Sequence, residues 1–237
     1  MALNNLLPQT KLSIIIPAYN EIGTIETLLH KVEAALFDYD TQIIIVDDGS
    51  KDGTRDILKK YEAIHTVVYH EKNQGKGAAI RTGLSEARGS HIVIQDADLE
   101  YDPKDLVRML EHMVSEDLPV LYGSRSLHRG RNQEAGFSFY WGGQLLTLIT
   151  NVLYNQRLTD EPTCYKMFKH EVITSLPLVC NRFEFCPEVT ARVAKKGIRI
   201  KEISISYYPR SVTEGKKINW RDGVEAIQVL IKQRFIS

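Results

Sequence analysis

Cysteine is scarce in this 237-residue chain, with only Cys164, Cys180 and Cys186 and no CxxC pair among them. An odd count at such spacing argues against a disulfide framework and fits reduced thiols that act as packing residues. Net charge is also lacking, since 30 Lys and Arg face 30 Asp and Glu. That balance removes the global attraction that nucleic acid or an anionic bilayer exerts on a basic protein, so any such argument rests on local charge. Glycine-rich phosphate loops are missing too. The turn after the first strand reads Pro17-Ala18-Tyr19-Asn20-Glu21, where a dinucleotide fold places GxGxxG and a phosphate-loop NTPase places GxxxxGK[ST]. Gly75-Lys76-Gly77 is followed by Ala78 and is no Walker motif. The seven histidines have no HxxxH spacing, and none is a candidate metal ligand. Met1 to Thr10 is too short and polar for a signal-peptide core, which leads to the expectation of a cytoplasmic chain.

Long apolar runs are absent with one partial exception. Gly136 to Gln156 carries no charged side chain and contains Trp141, Leu145, Leu146, Leu148, Ile149, Val152 and Leu153. Its length matches a membrane span, but three glycines and several Asn, Gln, Ser and Thr make it a poor one. Two readings remain: a buried core helix, or a helix lying in the membrane interface where Trp and Tyr settle.

What is present is a β-α rhythm. Leu12 to Ile16, Gln42 to Val46, Thr66 to Tyr69, His91 to Ile94 and Pro119 to Tyr122 read as strands. The richest show no polar alternation, as expected of strands covered on both faces in a mainly parallel sheet. Helical spacing covers Thr24 to Phe37, Gly53 to Tyr61, Gly75 to Arg88 and Pro103 to Val114. Further on, a helix is expected over Glu184 to Lys196, a strand over Ile198 to Tyr207 and an amphipathic helix from about Arg221 to Arg234. The expected fold is a doubly wound α/β sheet with a C-terminal helical elaboration. Ligands of such a sheet bind at the carboxyl ends of the strands. The chain is read as one domain, residues 1–237, in two halves of about 11–125 and 126–237.

The residues with chemistry sit at those carboxyl ends. Asp96-Ala97-Asp98-Leu99-Glu100 follows the fourth strand, and extended backbone would put Asp96 and Asp98 on one face, able to grip a hard divalent cation. The plain alternative is a turn whose carboxylates cap local N–H groups. Asp47-Asp48-Gly49-Ser50 closes the second strand, one Asp suited to capping and the other to a nucleobase. Pro209 to Asn219 carries Arg210, Lys216 and Lys217, either a solvated face or a cationic loop suited to an anionic ligand.

The ordered set IIIPAYNE (14–21), IIIVDDGSKDGT (43–54), NQGKGAAIRTG (73–83) and DADLE (96–100) resembles an inverting family 2 glycosyltransferase of the GT-A fold. GSR (123–125), TDEPTCYKMF (159–168) and YYPRSVTEGKK (207–217) resemble, more narrowly, the dolichyl-phosphate and polyprenyl-phosphate sugar synthases. The resemblance runs from about Lys11 to Arg234 and implies that 11–125 is the nucleotide-sugar-binding half and 126–237 the acceptor-side half and lid. It implies Pro17, Tyr19 and Glu21 around the nucleoside, and Val46 and Asp48 against base and ribose. Asp96, Ala97 and Asp98 would hold the sugar nucleotide and its Mg²⁺ or Mn²⁺. Glu100 would be a further ligand, at a position where those synthases often carry Gln. Arg125 is expected near the phosphates, and the loop with Arg210 and Lys216 over the diphosphate. The implied partners are a nucleotide-sugar (GDP-mannose or a UDP-hexose) and a polyprenyl phosphate reached from the cytoplasmic membrane surface, with no nucleic acid.

Such a reaction needs few groups. A metal ion neutralises charge on the departing nucleoside diphosphate. A phosphate monoester, with a second pKa near ~6, is largely ionised and barely needs a base, whereas a hydroxyl acceptor needs one. Asp160, with Asp98 the second residue expected to act in catalysis, is the first candidate to contact the acceptor or serve as base, and Glu188 the second. Competing readings are transfer to a saccharide hydroxyl, a nucleotidyltransferase that releases diphosphate from a nucleoside triphosphate, and a non-catalytic binding protein. The nucleotidyltransferase lacks its glycine-rich basic N-terminal loop here, and the binding protein is disfavoured by retention of the acidic pair and the loop cations.

Overall fold

A computed structural model describes residues 11–127, 137–210 and 220–236, with backbone alone at 137–140 and 220. Seven strands form one sheet among these residues: β1 (Leu12–Ala18), β2 (Thr41–Asp47), β3 (Thr66–Tyr69), β4 (His91–Ile94), β5 (Val120–Ser124), β6 (Lys166–Lys169) and β7 (Lys201–Ser204). Their order is β3-β2-β1-β4-β6-β5-β7. β6 runs antiparallel to both β4 and β5, and every other pairing is parallel. The sheet is therefore doubly wound and mostly parallel, as the β-α rhythm requires.

Parallel strands need crossovers, and helices lie in the connections between strands: α1 (Ile25–Ala35), α2 (Thr54–Leu58), α3 (Lys76–Glu86), α4 (Lys104–Ser115), α5 (Phe137–Tyr154), α6 (His170–Thr174) and α7 (Phe185–Lys195), with α8 (Trp220–Phe235) after the last strand. Ile14, Ile15, Ile16, Ile44, Ile45, Val46, Ile92 and Val93 are fully buried, because helices cover both faces of the central strands. A second, smaller cluster joins α5, α7 and α8 through Leu146, Tyr154, Ala191, Ala226 and Leu230.

The strand expected over Ile198 to Tyr207 is shorter, because β7 pairs only with β5 and its last partner is Ser124. Beyond that point the chain crosses to the acidic turn, where Tyr207 bridges Tyr101 and the Tyr208 N–H donates to the Glu100 carbonyl at 2.8 Å. This crossing carries the 207–210 segment onto the carboxyl edge.

α5 is neither wholly buried nor wholly exposed. Leu146, Thr147, Thr150 and Tyr154 face the interior, while Trp141, Leu145, Leu148 and Val152 are exposed, Val152 by 74%. The exposed four recur at helical spacing and form one apolar stripe. Among the described residues no helix is long and apolar enough to cross a membrane.

Gly49, just past β2, holds φ +76°, and a Cβ there would meet the backbone of Lys72 and Asn73 at 2.7 Å. A side chain strains the turn and pushes the 72–75 segment away. Gly49→Ala is expected to lower the unfolding free energy by ~1–3 kcal/mol, the usual cost of such backbone strain, read as a lower urea midpoint.

Candidate active site

The turns after β1, β2 and β4 meet at the carboxyl edge. Pro17 and Val46 are in register across β1 and β2, and Ala18 accepts from the Asp48 N–H at 2.8 Å. Asn20 adopts φ +51°, donates its N–H to Ser50 Oγ at 2.9 Å and accepts from the Lys51 N–H at 2.9 Å. The Glu21 N–H donates to Thr54 Oγ1 at 2.9 Å, so the first two turns are stitched together. Half-buried Tyr19 lies in this turn, and the buried Glu21 carboxylate accepts from Thr24 Oγ1 at 2.9 Å.

Both carboxylates of the second turn build loops. Asp47 Oδ2 accepts a fork from Arg55 at 2.9 and 2.7 Å. Asp48 accepts from the backbone N–H groups of Gln74 and Gly75 at 2.9 and 2.8 Å and lies 2.7 Å from His70 Nδ1. Asp48, expected against a base and ribose, therefore also fixes the loop that opens α3. Gly75, at φ +101°, lets that loop pass close to Asn181, and Lys76 follows as the first residue of α3.

The Asp96 to Glu100 stretch is a turn. β4 ends at Ile94 and Leu99 adopts φ +62°, so the extended geometry that would align Asp96 and Asp98 does not persist. Asp98 Oδ1 caps the Glu100 N–H at 3.1 Å, as the turn reading expects. Buried Gln95 braces the turn by donating to the Asp96 carbonyl and accepting from Tyr165 Oη. Ala97 is buried against the core, so the two flanking carboxylates point to different cations. Asp96 pairs with Lys76 at 2.5 Å and Asp98 with Arg210 at 3.0 Å.

Arg210 spans three acids. Its NH1 lies 3.3 Å from Glu21 Oε2, its NH2 3.0 Å from Asp98 Oδ2, and its Nε 3.8 Å from Glu100 Oε1. Glu100 also accepts from Tyr207 Oη and from the Arg210 N–H, both at 2.9 Å. Burial opposes charge on Lys76, yet the Asp96 carboxylate outweighs it and raises the ammonium pKa well above its usual value. Asp98 behaves oppositely: burial, then the neighbouring charges of Asp96 and Glu100, push its carboxyl up to about 7, against the pull of Arg210.

Arg125 and Asp160 form a closed pair. The Arg125 fork donates to Asp160 at 2.7 Å through both Nε and NH2, the Arg125 N–H adds a third bond at 2.8 Å, and the guanidinium lies 4.9 Å from the centre of the Tyr207 ring. Burial raises the Asp160 carboxyl, but the charge and hydrogen bonds of Arg125 prevail and hold it below its ordinary range. Fully buried Glu188 accepts from the N–H groups of Val179 and Cys180 and from Arg192. Both candidate bases are thus engaged as anchors of loops in this arrangement. Lys216 and Lys217 lie outside the described residues, as does the basic loop of His128, Arg129 and Arg131.

Lys76 and His70 are site residues that the motifs did not single out. A lysine opening a helix directly after a glycine is a usable signal for Lys76, whereas His70 reveals its role only through Asp48. The donor set of Asp96, Asp98, Glu100 and Glu21 is all carboxylate oxygen, suited to a hard divalent cation. Among the described residues no three such groups gather closely enough to ligate a metal unaided. Mg²⁺ needs only one or two carboxylates when phosphates supply other oxygens, and a cation relieves the like charge crowded around Asp98, so the residues fit. Breaking the Arg125–Asp160 pair leaves a buried charge unmatched. Asp160→Ala is expected to cost ~3–5 kcal/mol in urea unfolding, the usual penalty for orphaning a buried partner.

Comparison with known proteins places the chain among described relatives. The chain is 28% identical over 227 residues to the UDP-N-acetylglucosamine–dolichyl-phosphate N-acetylglucosaminyltransferase of Methanococcus voltae, covering 86% of this chain and 89% of that protein. It is 28% identical over 213 residues to the dodecaprenyl-phosphate galacturonate synthase of Rhizobium johnstonii, covering 87% of this chain but spanning only 62% of that protein's length. Among solved structures, glucosyl-3-phosphoglycerate synthase from Mycobacterium tuberculosis, in complex with Mn²⁺, UDP and phosphoglyceric acid, superposes with a TM-score of 0.73 at 18% identity, covering 99% of this chain and 82% of that one. That likeness shows the shared GT-A fold. The family model for glycosyl transferase family 2 matches residues 13–176, the span that holds all three acidic turns, and the chain belongs to that family.

Proposed function

We propose that this chain transfers a sugar from a nucleotide-sugar to a polyprenyl phosphate, with a divalent cation, at a membrane surface. The observation that carries this reading is the meeting at one sheet edge of carboxylates from separate turns, Glu21, Asp96 and Asp98, with the cations Lys76 and Arg210. An anionic diphosphate with a bound cation matches such a mixed field. The names of the Methanococcus and Rhizobium relatives support a polyprenyl-type phosphate as acceptor, and the former supports a UDP-linked donor.

In this reading Pro17, Tyr19, Val46 and Asp48 receive the nucleoside, with Asp48 shaping the pocket through the 74–75 backbone. Asp96 and Asp98, with Glu100 adjacent, hold Mg²⁺ or Mn²⁺, which when bound neutralises charge on the leaving nucleoside diphosphate. Ala97 brings backbone close to the sugar. Lys76 and Arg210 supply positive charge for the phosphates, and the family resemblance assigns Arg125 and Lys216 to them as well. No general base is required, because the acceptor phosphate is already largely ionised with a second pKa near ~6. The engagement of Asp160 by Arg125 and of Glu188 by Val179, Cys180 and Arg192 favours this acceptor over a saccharide hydroxyl, which needs a carboxylate ready to take a proton.

The lipid acceptor is reached from the bilayer surface. The stripe of Trp141, Leu145, Leu148 and Val152 on α5 supplies the apolar contact, and exposed Lys232 and Arg234 on α8 supply cations for anionic headgroups.

Two measurements test this reading. With radiolabelled donor and a polyprenyl phosphate, label is expected in the lipid phase, and Asp98→Asn or removal of divalent ions by EDTA should cut nucleoside diphosphate release by ~10²–10³-fold, as loss of a group stabilising transition-state charge does. Label found only on a saccharide would overturn the acceptor. In liposome flotation with anionic vesicles, the protein is expected to float, and the combined Leu145→Ser, Leu148→Ser and Val152→Ser variant to stay behind; equal flotation would remove α5 from the contact.

A further inference from the structure

Three arginine–carboxylate contacts in this protein invite comparison. Arg55 forks onto Asp47 at 2.9 and 2.7 Å, and Arg125 onto Asp160 at 2.7 Å twice. Each brings two nitrogens to one carboxylate, Arg55 to the single oxygen Oδ2 and Arg125 to both oxygens, the latter being the parallel arrangement that makes such pairs strong. Arg210 has none of it. It offers single nitrogens to Asp98 at 3.0 Å and Glu21 at 3.3 Å, and its Nε is buried without a hydrogen-bond partner among the described residues. A guanidinium shared among three acids, with a single hydrogen bond to each of two and a two-point match to none, is held by charge more than by hydrogen-bond fit.

The backbone that carries Arg210 is secured by other means. Tyr207 Oη donates to Glu100, the Tyr208 N–H donates to the Glu100 carbonyl, Tyr207 bridges Tyr101, and Arg125 covers the Tyr207 ring. The side chain of Arg210 is thus able to leave its acids while residues 207 and 208 stay in place. Its seat, the Asp98 carboxylate, is also the group that the proposed metal requires.

We propose that Arg210 is the resident counter-ion of the acidic edge, and that its guanidinium and a divalent cation are alternative occupants of the Asp98 carboxylate. Resting on the metal site of the proposed function, this makes cation binding an exchange: the cation takes Asp98, and Arg210 is released to an anionic ligand such as the donor diphosphate. Glu100 is then a positioning residue. Its carboxylate fixes Tyr207 and the Arg210 backbone, and its added charge favours the guanidinium in the seat.

The test is Mn²⁺ binding without donor, followed by electron paramagnetic resonance of free Mn²⁺. If Arg210 fills its seat about nine-tenths of the time, Arg210→Ala binds Mn²⁺ about tenfold more tightly than the unaltered chain. Removing a nearby positive charge tightens binding by itself, so a second arm separates the two causes. Millimolar guanidinium, against NaCl at equal ionic strength, is expected to weaken Mn²⁺ binding to Arg210→Ala and leave the unaltered chain unchanged. Arg210→Met, which keeps the apolar stem, should behave like Arg210→Ala and guards against misfolding of either. Equal or weaker Mn²⁺ affinity in both variants, or no guanidinium effect, overturns the exchange while leaving the metal site standing. Failure of every variant to bind Mn²⁺ overturns both.

Discussion

Like charge packed into a poorly hydrated edge is the constraint around which this structure is organised. Asp96, Asp98 and Glu100 fall within one turn, mostly shielded from water, where mutual repulsion is far less screened than at a surface. The turn is tolerable because two cations arrive from distant parts of the chain. Lys76 comes from the start of α3 and Arg210 from beyond β7. Each arrival has its own supports. Asp48 and the close pass of Gly75 by Asn181 set the start of α3, and Glu100 with Tyr101 sets the 207–210 crossing.

The carboxylates of this protein divide by their partners. Asp47, Asp48, Asp160 and Glu188 are buried and saturated by arginine forks, backbone N–H groups or histidine, and they hold loops in place. Those on the DAD turn are neutralised by single, looser or side-on contacts and keep lone pairs for other partners. Acidity alone does not distinguish the two groups. A buried carboxylate with several fixed donors is an architectural element, whereas one facing like charges and one singly bonded cation keeps room for a ligand.

The second half of the chain follows the same logic with apolar surface. α5, α7 and α8 bury a small cluster of their own beside the main core, which leaves a face of α5 uncovered. The helix has no charge with which to solvate that face. A segment that composition alone leaves between core and interface is thus core along one side and exposed apolar surface along the other.

The strands were legible in the sequence because continuous β-branched runs are local, and so were the turns of the candidate site, because PAYNE, VDDGS and DADLE mark strand ends by composition. The sequence by itself determined the parallel α/β class, the acidic edge and the family. The tertiary structure alone decided three things: that DAD is a turn rather than extended strand, that Asp160 and Glu188 are engaged as loop anchors, and that each acid of the pair has its own cation. The physical reason is range. Strand and turn preferences act over a few residues, whereas the contact between Asp98 and Arg210 spans 112 positions and exists only once β7 has paired and the chain has crossed to Tyr101.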